Sequence, residues 1–276
     1  MKESFYDYLD EFINYLQNIK NYSKLTSKTY YTPILKMIDI SEIYEENESI
    51  IVDITKYRIS ISDQNPKTVN KKLSSIRSFI EFLKDKKLKM KLTGSQSIKS
   101  KQTLPKPVNT DNIYESLENA SIEEKLIVLF IYSFGIRVSE LCSLKLENIN
   151  SDHITVLGKG NKQRQIPSNK IINGLFEEYK KIYNPKLYIF EKESKPLTVR
   201  QLQYRVEKVF KNIGIKATPH QLRHSFATDL LNEGARINDI SQLLGHSSLK
   251  ATGIYTKLTT NTKLKQYNMS HPLSMK

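Results

Sequence analysis

The feature that most restricts how this chain can fold is a gap in its apolar pattern. Between Thr93 and Asn112 it reads TGSQSIKSKQTLPKPVNTDN, rich in Ser, Thr, Lys and Pro and without apolar periodicity, while long stretches on either side repeat at helical spacing. Such a segment builds no core, so the 276 residues divide into an N-terminal unit at 1–92, a linker at 93–109 and a C-terminal unit at 110–276. Each unit is large enough to bury a core without covalent staples. Cys142 is the lone cysteine, which rules out an intramolecular disulfide and a four-Cys zinc site.

Within the first unit, YDYLDEFINYLQNI and SKTYYTPILKMIDI read as helices, with Pro33 able to shift or kink the second. Val69, Leu73, Ile76, Ile80 and Leu83 recur at spacings of 3 or 4 and predict an amphipathic helix. ITKYRISIS alternates at Ile59 and Ile61, and the pattern leaves its conformation open. In the second unit TDNIYESL and IEEKLIVLFIYSFGIRVSELCSLKL read as helical. HITVLGKGNKQRQIP has β-branched residues on both sides of a Gly-containing turn and predicts a hairpin. LTVRQLQYRVEKVFKNI, PHQLRHSFATDLLNEG and INDISQLLG return to helix, the middle one bounded by Pro219 and Gly234. The expected fold class is mainly α with a small antiparallel β-sheet (α+β).

Charge narrows the partners. The formal net charge is +14, and it is segregated: residues 1–50 carry 5 basic and 9 acidic residues, residues 67–106 carry 12 basic and 2 acidic ones. A chain this basic is expected to meet a polyanion, most often nucleic acid. The first residues, MKESFYDYLDEF, lack the basic and apolar regions of a signal peptide, and the longest apolar run, Leu126–Tyr132, is seven residues. A cytoplasmic location and no membrane partner are expected.

Chemistry-bearing residues cluster in HQLRHSFAT, where His220, Arg223 and His224 fall at i, i+3, i+4 spacing near one side of a helix. The two histidines have a zinc-ligand spacing, but Gln221 stands where a zinc protease needs Glu, and Arg223 would repel a dication. No metal site is expected. His224 reads as a structural residue. His220 with Arg223 suits an anion instead, because guanidinium offers a rigid fork of donors and imidazole exchanges protons near neutrality. Arg137, Lys159, His246 and Tyr255 extend the set. Each has a plainer reading: an ion pair with Glu140, a solvated turn, a helix cap, one of 16 tyrosines.

Together, the ordered motifs GIRVSEL (Arg137), GKGNKQR (Lys159), HQLRHSFAT (His220, Arg223), LGHSS (His246) and YTK (Tyr255) resemble the tyrosine site-specific recombinases of the phage integrase family, in particular the Xer type. The resemblance spans nearly the whole chain, including LPKP at 104–107 and TVNKKLSSIRSF at 68–79. It implies a helical, SAM-like core-DNA-binding domain followed by a catalytic domain with a C-terminal exchange tail. It also implies that Tyr255 attacks a DNA phosphodiester to leave a 3′-phosphotyrosyl link, without metal, ATP or other cofactor. A free phenol has a pKa of about 10, so ionising it at pH 7 costs roughly 4 kcal/mol. By resemblance His220 is the base that assists it, Lys159 is the general acid to the leaving oxygen, and Arg137, Arg223 and His246 hold the phosphate. Glu140 reads as a positioning or packing acid. Lys71, Lys72, Arg77, Lys162, Arg164, Arg200, Gln201 and Arg205 are candidates for DNA contact.

The expected partner is a double-stranded recombination site. The chain would be a monomer or weak dimer when free and a homotetramer on two sites, passing through a Holliday junction, with Leu264, Tyr267 and Leu273 docking the tail in a neighbour. Chromosome dimer resolution at a dif-like site, with a cell-division DNA translocase as a further partner, is the expected role. A mobile-element integrase or transposase, type IB topoisomerase-like relaxation and a non-catalytic DNA-binding relative are the alternatives.

Overall fold

The computed structural model describes residues 2–99, 106–158 and 162–245. The chain forms two compact units, Met1–Gln102 and Thr103–Lys276.

In the first unit, α1 (Lys2–Asn18) buries Phe5, Leu9, Phe12 and Leu16, which share one face at spacings of 3 and 4. The Ser23 hydroxyl accepts the Thr26 N–H to start α2 (Lys24–Ile40), which runs through a buried Pro33 without ending there. Asn65 caps α4 (Pro66–Asp85), with Pro66 in its first turn, where a missing N–H costs nothing. Its stripe Val69, Leu73, Ile76, Ile80 and Leu83 is buried together with Phe79. Phe12 joins the two helices, 5.5 Å from the Phe79 ring and 5.2 Å from Phe82.

Three short strands complete this unit. β1 (Glu42–Glu46) and β2 (Ser49–Asp53) form an antiparallel hairpin whose tip, Asn47–Glu48, takes two consecutive left-handed residues. β3 (Met90–Thr93) then pairs with β2 in parallel. The undecided segment becomes α3 (Thr55–Ile59), burying Tyr57 and leaving Ile59 exposed.

In the second unit, α5 (Thr110–Glu118) precedes α6 (Ile122–Phe134), which opens on a reciprocal Ser121–Glu124 capping box. α6 is the core: Leu126, Ile127, Phe130, Ile131 and Phe134 are buried, and Phe130 meets Phe176 and Phe190. The run read as continuous helix breaks at Gly135, beyond which lies α7 (Val138–Cys142). β4 (His153–Leu157) and β5 (Gln163–Pro167) form the expected hairpin, with His153 opposite Pro167 and Leu157 opposite Gln163. α8 (Lys170–Tyr183), the two-residue strands β6 (Glu191–Lys192) and β7 (Lys195–Pro196), α9 (Val199–Lys211), α10 (Pro219–Asn232) and α11 (Ile237–Leu244) follow.

The architecture is mainly helical as expected; among the described residues it has three small sheets rather than one, and one of their pairings is parallel. The ends of the linker are tied down. Gly94 and Ser95 carbonyls accept Arg58 and Arg77, and Asn70 exchanges two 2.8 Å hydrogen bonds with the Ile98 backbone. On the other side, the Val108 N–H donates to the Ser225 hydroxyl on α10 at 2.8 Å, and that hydroxyl donates back to the Val108 carbonyl.

Candidate active site

Gly135 sets the site. Its φ of +56° ends α6 in the left-handed conformation, and a Cβ there would lie 2.3 Å from the Phe226 ring on α10. Only a residue without a side chain lets these two elements approach so closely. Its carbonyl faces α10 and accepts a hydrogen bond from Arg223, whose other terminal nitrogen donates to the Leu244 carbonyl at 2.7 Å. Arg223 is therefore held between the end of α6 and the end of α11.

Two residues past Gly135, Arg137 stands at the N-cap position, directly before α7. Glu140 in its first turn accepts the Arg137 backbone N–H at 2.8 Å and its Nη1 at 2.7 Å. The same carboxylate takes a fork of two bonds from Arg164 on β5, at 3.1 and 2.8 Å, and lies 3.9 Å from Arg223 Nη1. Glu140 is 6 % exposed, so its charge tolerates burial only because cations and an amide surround it. Burial pushes its carboxyl up. Arg164 and the Arg137 amide outweigh that and hold it below the usual carboxylate range. Arg137 keeps 39 % of its side chain exposed and lines a cavity of about 370 Å³ with Ser139, Glu140, Ser143, Leu157 and Gly158. The result is three guanidinium groups around one buried carboxylate, Arg137 and Arg164 bonded to it and Arg223 3.9 Å away, beside an open hollow.

α10 follows from its own sequence. Thr218 and Gln221 form a capping box, and Pro219 occupies the first turn. His220 is exposed at that helix start, Arg223 is buried, and His224 is buried one residue further. Lys159, His246 and Tyr255 lie outside the described residues, as does the tail with Leu264, Tyr267 and Leu273. Tyr132, the phenol beside α10, is engaged elsewhere. Its hydroxyl donates to Asp229 at 2.8 Å, and burial with that carboxylate pushes it up to about 12. Among the described residues no group of three or more His, Cys, Asp or Glu is placed to hold a metal ion.

The candidate DNA contacts divide. Lys71, Lys162, Arg200 and Gln201 are exposed, Gln201 also serving the capping box of α9. Lys71 and Lys72 line a groove of about 360 Å³ with Leu25, Lys28, Thr29 and Thr32 of α2. Lys72 donates to Gln64 and Arg77 to Ser95 and Ser97. Arg205 pairs with Glu123 at 2.8 Å, and Arg164 is 11 % exposed on Glu140. The sequence gives no warning of these internal partners, which lie up to 82 residues away. Glu140 did carry a signal, its i+3 spacing from Arg137. No helix among the described residues is long and apolar enough to cross a membrane.

Residues 106–262 match the Phage integrase family and residues 9–87 its N-terminal SAM-like domain. The chain is similar to tyrosine recombinase XerC of Listeria welshimeri serovar 6b, at 31% identity over 95% of this chain and 96% of that one. It is similar also to tyrosine recombinase XerA of Pyrococcus horikoshii, at 34% over 92% and 90%. Its fold is like that of XerH site-specific recombinase bound to a palindromic difH substrate, with a TM-score of 0.71 and 21% identity over 94% of this chain and 82% of that one. A lambda integrase tetramer bound to a Holliday junction also shares the fold, with a TM-score of 0.61 and 18% identity over 88% and 77%. Both identities are too low to carry more than fold, whereas the sequence relatives cover the chain almost end to end. The chain belongs to the phage integrase family and is a tyrosine recombinase, an enzyme that breaks and rejoins DNA in site-specific recombination.

Proposed function

We propose that the hollow beside Arg137 receives the scissile phosphate of a recombination site and that Tyr255 attacks its phosphorus, leaving a 3′-phosphotyrosyl link and a free 5′-hydroxyl. The observation that carries this reading is the Arg137 guanidinium, fixed on Glu140 and 39 % exposed over the hollow, with Arg223 buried 3.9 Å from the same carboxylate. Arg137 meets the non-bridging oxygens and Arg223 adds fixed positive charge behind it, so the charge that builds in the transition state is stabilised without reorganisation. His220 at the start of α10 takes the phenol proton, Lys159 at the hairpin tip protonates the departing 5′-oxygen, and His246 adds a hydrogen bond to the phosphate. Permanent cations do the work for which other phosphoryl-transfer enzymes use a metal, and the reaction uses no ATP. The phosphotyrosine keeps the energy of the broken bond, so a 5′-hydroxyl from a partner duplex reverses the attack and completes exchange.

The assembly we propose is a homotetramer on two sites, passing through a Holliday junction. What supports it is the fold shared with the lambda integrase that is bound as a tetramer to a Holliday junction. The groove of Lys71 and Lys72 meets the duplex. The substrate is a dif-like site and the role chromosome dimer resolution, favoured over mobile-element integration by the end-to-end similarity to Xer recombinases.

Two differently labelled duplexes carrying a dif-like site test this. Recombination through a four-way junction, undiminished in excess chelator, is expected. Relaxation of supercoiled DNA with no junction from two sites would instead make the chain topoisomerase-like, and activity only on mobile-element ends would make it an integrase.

A further inference from the structure

Arg164 belongs to the same basic hairpin as Lys159 and Lys162, and its sequence position suits a contact with the DNA backbone. Its surroundings are those of an interior residue. Nη1 and Nη2 lie on Glu140, Nε donates to the Leu243 carbonyl at 2.7 Å, and 11 % of the side chain is exposed. Three of the five guanidinium N–H groups are engaged, one on each nitrogen, and the low exposure leaves the other two little access to a phosphate.

With β5, which carries Arg164, the two acceptors Glu140 on α7 and Leu243 on α11 join three elements. Glu140 is the residue that holds Arg137 through its amide and its guanidinium. Arg164 itself stands on β5, two residues from the point where the Gly158 N–H closes the hairpin on the Lys162 carbonyl at 2.8 Å. Leu243 and Leu244 offer the last carbonyls of α11, the negative end of that helix, and receive Arg164 and Arg223 respectively. Gly245 follows with φ +63°, and a Cβ there would come within 3.0 Å of Arg164 Nη1, so the turn is shaped around this guanidinium. His246 is the next residue in the chain.

We infer that Arg164 is a positioning residue for strand cleavage, fixing the Arg137–Glu140 pair, strand β5 and the end of α11 to one another. The role rests on the cleavage chemistry proposed above. A planar fork with a third donor at a fixed angle can serve Glu140 and Leu243 together, and the single ammonium of a lysine cannot.

The test uses the full chain and a nicked duplex selected from a randomised pool by covalent capture with the wild type. Arg164→Gln and Arg164→Lys are compared with it for DNA affinity, for the salt dependence of that affinity, and for the rate of covalent capture at saturating DNA. Rates are normalised to the folded fraction from circular dichroism. For Arg164→Gln the expected result is a capture rate roughly 10- to 100-fold lower, with affinity and salt slope unchanged. Arg164→Lys should recover only part of the rate. Combined with Arg137→Lys, the Arg164→Gln loss should be less than additive, because both act through Glu140.

A salt slope reduced by about one with an unchanged rate would make Arg164 a phosphate contact and overturn the role. Full recovery by lysine, or strict additivity with Arg137→Lys, would overturn it as well. A wild type that captures no DNA would remove the cleavage chemistry itself and this role with it, an outcome distinct from a defect confined to the variants.

Discussion

Glu140 is the smallest part on which the site depends. A carboxylate this buried is retained because Arg164, Arg137 and the Arg137 amide surround its charge, and removing it leaves Arg164, 11 % exposed, without its acid partner. Glu140→Gln should cost about 3–5 kcal/mol at pH 7, measured by denaturant unfolding of the full chain. The pH dependence has a definite sign. The folded carboxyl titrates below its unfolded value of about 4.3, so its contribution is present above that pH and is lost as pH falls through the folded value. The acid limb of stability should therefore flatten in Glu140→Gln, and an unchanged acid limb would show that the carboxylate is not held as described. Gly135→Ala combines a left-handed backbone with a Cβ driven into Phe226, and should cost about 2–4 kcal/mol, read as a lowered melting temperature.

At the scale of elements, α10 ties the linker to the site. Ser225 lies two residues beyond Arg223 and takes both backbone groups of Val108, so the C-terminal end of the linker is fastened to the helix that carries His220 and Arg223. In Ser225→Ala the Val108 amide should lose about 1–3 kcal/mol of protection, followed by hydrogen exchange, because a buried donor is left without its acceptor. Elements were legible where local chemistry decides them. α10 announces itself by Pro219, and the stripe of α4 by its spacing. They were illegible where distant contacts decide. The break between α6 and α7 depends on Phe226, 91 residues beyond Gly135, and the apolar run around it reads as one helix. α8 was legible but unread: Asn169 caps it, and its buried Ile172, Phe176 and Tyr179 recur at spacings of 4 and 3. The β1–β2 hairpin hid behind the acids of EIYEE. At the site, Arg137 and Arg223 were legible from their motifs, while the commitment of Arg164 to Glu140 and Leu243 was not.

For the whole molecule, a net charge of +14, most of it in residues 67–106 with 12 basic and 2 acidic residues, should make DNA binding an ion-exchange process. With about 6–10 phosphates contacted, affinity should fall by roughly three to five decades between about 50 and 200 mM salt, measured by fluorescence anisotropy on a labelled duplex. A nearly flat salt profile would contradict a backbone-dominated interface. The central claim is that a phenol, assisted by fixed positive charge, becomes covalently joined to DNA. Its most direct test is to trap the wild type and Tyr255→Phe on a nicked recombination site in excess chelator and map any protein–DNA adduct. The account predicts a 3′-linked adduct on Tyr255 in the wild type and none in Tyr255→Phe; an adduct that persists in Tyr255→Phe, or that needs a divalent metal, would contradict it.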